Sequence, residues 1–396
     1  MSSSRHVYQL PPCPAWDVEG TESWLTDQAA AGLMLAKDGF FAGFATFERT
    51  EPQAVRYRLE AAPKPVSFWA DDGGKPDPEA ENLNAAYGWE YVASRGQFYI
   101  YRTNSPEARE LNTDPKVQAI ALDLVRKRER GNCLNLLFWT LFYPVLGMRG
   151  GILLVAVEVG SWFFLWTFLL VLWFFLRSLA GLLYLRKLRK KLASGEAPDH
   201  RRDWRKPIAR HRLATLALIL VCGAWAAVAL HLWSNEVMDV YKQPLTDQAQ
   251  LPFATMADFL PGDWQRADMN WTNTIERRTD WLAPDMIHFN ESGSISLGDG
   301  RSLQGGLIID YYEARTDWLA HWLFLDLQRA AKRTRDYEVL PAVEVGADET
   351  AAYQEYFPTL LIRQGNKVLQ AVFYQTSPNY TMPREQWGRV LADSIQ

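Results

Sequence analysis

WFFLWTFLLVLWFFL, residues 162–176, decides how the rest of the chain must be read. Fourteen of its fifteen side chains are apolar, eight of them aromatic, and Thr167 is the one polar residue, so no polar face is left for water on a helix or a strand. The run belongs to a longer stretch, 133–185, whose only charges are Arg149, Glu158 and Arg177. At ~1.5 Å per residue that stretch is far longer than one crossing of a ~30 Å hydrocarbon core. It reads as a hairpin of two membrane helices, 134–148 and 161–185, with a return at 149–160 loosened by Gly150, Gly151 and Gly160. A third charge-free stretch, LATLALILVCGAWAAVALHLW at 213–233, has the ~20 residues of a spanning helix.

Cations beside these helices set an expected orientation. Arg126, Lys127, Arg128 and Arg130 precede the first helix, and 186–212 holds 11 Lys+Arg against Glu196, Asp199 and Asp203. The first return offers only Arg149. Basic flanks stay in the cytoplasm, so residues 1–131 are expected inside and 235–396 outside, in a multi-pass plasma-membrane protein. Trp162 and Trp233 then fall at the outer interface and Tyr184 at the inner one. Arg177, two turns from the basic stop, is expected to snorkel inward. Glu158 is expected in the outer return. Gly223 and Ala227 form a small-xxx-small pair, a way for the third helix to pack on a neighbour or on a second copy.

Charge also divides the chain. Residues 1–234 carry +5 and 235–396 carry −9, within a total of −4 over 396 residues. Such asymmetry suggests two compartments. Cys13, Cys133 and Cys222 lie too far apart to write a zinc knuckle or a disulfide framework. The polar, proline-rich opening MSSSRHVYQLPPCPAW lacks the pattern of a cleaved signal peptide.

The expected organisation is α+β: a cytoplasmic domain (1–112), a basic juxtamembrane segment (113–131), the hairpin (132–185), a basic loop (186–212), the third helix (213–233), a stalk (234–250) and an extracytoplasmic domain (251–396). In the first domain, strands near 7–10, 40–49, 55–59, 89–93 and 97–102 alternate with helices at 22–34 and 81–87. That order fits a small sandwich, ferredoxin-like in outline. In the last, strands at 294–297, 306–312, 337–345, 356–363 and 367–374 accompany helices at 317–333 and 386–395.

Several first-domain elements are familiar in their order: Trp24-Leu25 with Ala31-Gly32 on a helix, FATFERTEPQAVRYRLE at 44–60, Gly88–Val92 with 98–102, and Asn112-Thr113-Asp114. Together they resemble a bacterial domain-of-unknown-function family, number 2812. The resemblance implies a membrane-anchored protein, often encoded beside a PadR-type transcriptional regulator, with no established activity. The loop DDGGKPDP at 71–78 and the large domain after the last helix depart from the family pattern.

No residue stands out for chemistry. The six histidines are scattered, and no zincin, nucleophile-elbow, phosphate-loop or dinucleotide fingerprint is present. His321 is expected to pack rather than ligate, Asp348-Glu349 to face water, and LGDGRS at 297–302 to be a hairpin turn without calcium-loop spacing. Trp24, Trp89, Phe98 and Tyr99 read as core rather than as a nucleic-acid platform. No catalytic, cofactor or metal residue is assigned, and no enzyme is expected.

The expectation is therefore a signalling or regulatory membrane protein, coupling an external sensor-like domain to a cytoplasmic protein-binding domain. Its expected partners are the bilayer, anionic lipids at the basic segments, a cytoplasmic transcriptional regulator and a second copy through the third helix, with no direct nucleic-acid binding. The alternative is a scaffold or accessory subunit of a transporter or envelope complex.

Overall fold

The computed structural model describes residues 6–41, 43–63, 75–111, 114–141, 151–238, 240–246, 250–267, 272–297, 302–334, 337–341, 343–376 and 382–396. The chain divides into two compact units. One comprises Met1–Phe138 with Val171–Ala224, the other Trp139–Leu170 with Trp225–Gln396.

The first unit opens with β1 (His6–Gln9) and α1 (Val18–Ala30), followed by β2 (Leu33–Phe41), β3 (Phe44–Arg49), β4 (Arg56–Ala61), α2 (Pro78–Ala86), β5 (Glu90–Arg95) and β6 (Phe98–Thr103). Asp17 caps α1, its carboxylate accepting from the Gly20 amide at 3.1 Å. The chain leaves α1 through Gly32 at φ +82°, a left-handed turn that glycine adopts without a Cβ penalty. Trp24 and Leu25 then bury against Phe47, Tyr57, Val92 and Ile100.

This is not the expected ferredoxin-like sheet. The strands form two antiparallel three-stranded sheets, ordered β1-β3-β2 and β4-β6-β5. The expected single strand at 40–49 is the end of one strand and the whole of the next. Phe41 pairs with Phe44, and Gly43 at φ +85° lets the chain reverse between them. Trp24, Trp89, Phe98 and Tyr99 are buried, as core residues should be.

The three-helix membrane region is also corrected: two helices in the described residues are long and apolar enough to cross a membrane. They are α5 (Ser161–Ala193) and the His211–Glu236 part of α6 (Arg205–Val237). Their most apolar windows are 11% and 0% buried within the protein, so neither is a core helix. The first expected span, 134–148, begins inside α3 (Pro115–Leu141), which carries Lys116, Asp123 and Arg126–Arg130. Ala119, Leu122 and Val125 of α3 pack on Leu185, Leu188 and Leu192 at the basic end of α5, and Asp123 pairs with Arg189 at 3.1 Å. Residues 142–150 lie outside the described residues, as do Asn112-Thr113, 71–74 of DDGGKPDP and 298–301 of LGDGRS.

In the second unit, the expected return loop contains a helix, α4 (Ile152–Val159). The glycines that suggested a loop only flank this helix, and its Leu154 and Val157 are buried in protein. The C-terminal sheet has nine antiparallel strands: β7 (Lys242–Pro244), β8 (Asp263–Arg266), β9 (Thr274–Arg278), β10 (Asp285–Ser296), β11 (Ser302–Glu313), β12 (Glu338–Val339), β13 (Glu349–Gln354), β14 (Pro358–Gln364) and β15 (Lys367–Gln375). The order is β12-β13-β14-β15-β11-β10-β9-β7, with β8 also paired to β10. Along β14 and β15 the side chains alternate between two cores. Leu361 and Val368 face α8 (Asp317–Ala331) and α4, whereas Leu360, Ile362 and Leu369 face the side covered by α7 (Met256–Phe259) and α9 (Arg384–Ser394).

Candidate functional site

Asp17, Glu19 and Glu22 all lie at the start of α1 and are all buried, Glu22 to 2% exposure. Buried carboxylates must be partnered. Here most of their partners come from the basic C-terminal turns of α5 and from the segment that joins α5 to α6. Asp17 accepts from Arg202 Nη1 and Tyr184 Oη, both at 3.0 Å. Glu19 accepts from Lys191 Nζ at 2.9 Å and from the Asp199 amide at 2.8 Å. Glu22 takes the Leu59 amide on one oxygen at 2.8 Å and meets His200 Nδ1 on the other at 2.5 Å.

Further along, the Ser23 hydroxyl donates to the His200 carbonyl at 2.8 Å, and Asp27 receives Trp204 Nε1 at 3.0 Å and Arg205 Nη2 at 3.2 Å. Arg212, in the first turns of α6, donates to the Leu10 carbonyl at 3.1 Å. The ring of Trp16 lies against Tyr184 with centroids 5.0 Å apart. One helix of the N-terminal domain thus clasps the connection between the two apolar helices at successive points. Asp17, Glu19 and Glu22 are buried and their contacts are charge-assisted, which makes them stronger than exposed pairs such as Asp27–Arg205.

The clasp borders a cavity of about 250 Å³. Leu59, Phe98, Leu188 and Leu192 give it apolar walls, and the Glu22–His200 pair and Arg58 stand at its edge. Arg58 holds Glu110 in a two-point contact, Nε to Oε2 at 2.8 Å and Nη2 to Oε1 at 2.7 Å. Burial pushes the Glu110 carboxyl up, but Arg58 outweighs it and leaves the group below its usual range.

A second polar cluster sits in the C-terminal unit. The buried carboxylate of Asp326 on α8 accepts from the Leu153 and Leu154 amides at 3.0 and 3.3 Å and pairs with Arg329 at 2.9 Å, so it caps α4. Asp280 does the same for α5, accepting the Ser161 amide at 2.8 Å and its hydroxyl at 3.0 Å. Glu158 lies on α4, where Tyr312 Oη donates to it at 3.3 Å. Burial first, then the charge of Asp310, raises its carboxyl above the usual range.

The residues weighed from sequence fall elsewhere. His321 on α8 contacts Glu349 at 2.8 Å, and Arg363 binds both Glu349 and Asp348, so these acids are engaged rather than merely solvated. A Cβ at Gly223 would meet nothing within 4 Å, leaving that stripe open. Arg177 is half-buried on α5. Among the described residues no group of three or more His, Cys, Asp and Glu side chains is arranged to hold a metal ion.

The acids of α1 match no motif in the sequence. Their only signal was their spacing within ESWL and its flanks, opposite a distant basic loop. Residues 17–128 match the model of a family described as a protein of unknown function, DUF2812. The N-terminal domain belongs to that family. The match takes in α1 and its acids but stops before α5, so the DUF2812 domain supplies one half of the clasp and α5 with its connection to α6 the other. No curated protein and no solved structure matches the chain.

Proposed function

We propose that this is an integral membrane signalling or regulatory protein whose DUF2812 domain is cytoplasmic and whose C-terminal domain is extracytoplasmic. The observation that carries this reading is the clasp. The last turns of α5 and the segment linking it to α6 are bonded along α1, so a shift of either apolar helix moves groups on the DUF2812 domain. At its other end α5 is fastened to the C-terminal domain through Ser161 and Asp280. A helix tied at both ends is a means of passing displacement from one domain to another.

Sidedness follows from charge. The basic end of α5 and the basic start of α6 stay in the cytoplasm with the domain they contact. The first residues of α5 and the last of α6 emerge outside, with the acidic C-terminal unit. In this reading the external domain responds to an envelope or extracellular ligand, and the DUF2812 domain holds or releases a cytoplasmic protein, a PadR-type regulator being the expected partner.

Crosslinking in living cells, followed by capture of the full-length protein through its N-terminal domain, tests the proposal. Recovery of a soluble DNA-binding regulator, lost when Glu22 and Asp17 are both replaced, is the expected result. Recovery of membrane proteins alone would overturn the signalling reading in favour of a scaffold or transporter-accessory role.

A further inference from the structure

Two exposed tryptophans mark the place where α5 enters the C-terminal domain, and two more stand on the helix whose start is tied to the same loop. Trp162, the second residue of α5, is 65% exposed, and the Trp281 ring lies 5.8 Å away at 53% exposure. Trp281 follows Asp280, the residue that caps α5, so the contact is fixed by backbone as well as by side chain. Arg315 lies over the Trp281 ring at 5.4 Å and donates to the Trp281 carbonyl at 2.9 Å. The Arg315 amide donates to the Leu282 carbonyl, which ties the start of α8 to the same loop.

On α8, Trp318 is 66% exposed and Trp322 38% exposed, one turn apart with centroids at 6.2 Å. The opposite face of that helix, Leu323, Phe324 and Leu327, is buried. Arg329 lies over the Trp322 ring. A soluble domain gains nothing by holding large rings in water. Tryptophan is, however, the residue most at home between headgroups and hydrocarbon, where its ring is half-solvated and its N–H still finds acceptors.

We infer that Trp281, Trp318 and Trp322 form, with Trp162, a collar by which the C-terminal domain rests on the interfacial layer of the same bilayer. The occupant is lipid because Trp162 belongs to the apolar helix itself: a ring within 6 Å of it shares its depth. Arg315 and Arg329 add cations suited to lipid phosphates. The seat would transmit changes in bilayer thickness or headgroup packing directly into α8, whose Asp326 caps α4. This inference rests on reading α5 as a membrane span.

The test uses full-length protein without native cysteines, in phosphatidylcholine–phosphatidylglycerol vesicles. A nitroxide is placed in turn at Leu169→Cys on α5, Trp318→Cys, Trp322→Cys and, as an exposed reference, Tyr356→Cys. Collisions with membrane-soluble oxygen and a water-soluble nickel chelate give the depth of each. The collar predicts a several-fold lower nickel collision rate at 318 and 322 than at 356, with oxygen dominant at 169. Nickel rates at 318 and 322 equal to that at 356, with oxygen still dominant at 169, would overturn the collar alone. Nickel dominance at 169 would overturn the membrane span and the collar with it.

Discussion

Glu22 and His200 stand 178 residues apart in the chain and 2.5 Å apart in space. The carboxylate is almost wholly buried, the imidazole partly so, and the other Glu22 oxygen holds the Leu59 amide at the edge of a strand. One side chain therefore joins α1, the β4–β6–β5 sheet and the segment between the apolar helices.

Glu22→Ala is expected to destabilise the N-terminal unit by about 1–3 kcal/mol, since it strands a buried amide and removes the partner of His200. Glu22→Gln keeps the volume and one acceptor and should lose less. Thermal unfolding of the detergent-solubilised protein reads the difference. Limited proteolysis should in addition cut 194–204 faster in the Ala variant, and equal cutting in both would speak against the clasp.

Asp17 caps α1 and also receives Arg202 and Tyr184. Removing an N-cap alone costs ~1 kcal/mol. Asp17→Ala should exceed that, and Asp17→Asn should fall between, because Asn still caps but no longer pairs with the guanidinium. A loss for Asp17→Asn as large as that for Asp17→Ala would show that the ion pair dominates the cap.

Glu158 titrates with a defined sign. Its folded carboxyl is raised by burial and by Asp310, so the fold favours the neutral form. The associated stability is fully present below the unfolded value of ~4.3 and is lost as pH rises through the raised folded value. Glu158→Gln should therefore raise the melting temperature at neutral pH, keep the acceptor for Tyr312, and make no difference near pH 4. Melts of both proteins across that range check the crossing point.

Gly151 precedes α4, and a Cβ there would overlap the Asp326 carboxylate. Gly151→Ala is expected to push Asp326 off the Leu153 and Leu154 amides, with a loss of roughly 1–3 kcal/mol. Asp326→Asn retains an acceptor and should be milder. Similar melts for Gly151→Ala and the wild type would mean that α4 is not held by this cap.

Much of the fold was legible where one face of an element meets water and the other meets core. DWLAHWLFLDLQRAA shows its helix by period and capping, and the structure has it at Asp317–Ala331. Strand β13, ETAAYQ, was missed because small and polar side chains in mid-sheet do not alternate visibly. ILLVAVEV reads as a return because Gly150, Gly151 and Gly160 flank it, yet it is long enough between them for two turns of helix that bury Leu154 and Val157 in protein. The clasp was illegible for another reason: local patterns do not reveal pairings between a helix at 17–27 and a loop at 191–205. A basic juxtamembrane loop reads as lipid-facing until its acids are placed beside it.

In the proposed function, α5 carries displacement between the two domains. Hydrogen exchange on the full-length protein in nanodiscs, comparing wild type with Asp280→Ala, is the direct test, since that substitution frees only the Ser161 end of α5. Coupling through α5 should give faster exchange not only around Ser161 but also along α1 and through 194–204. Exchange confined to the neighbourhood of Ser161, with α1 and the connecting segment unchanged, would contradict it.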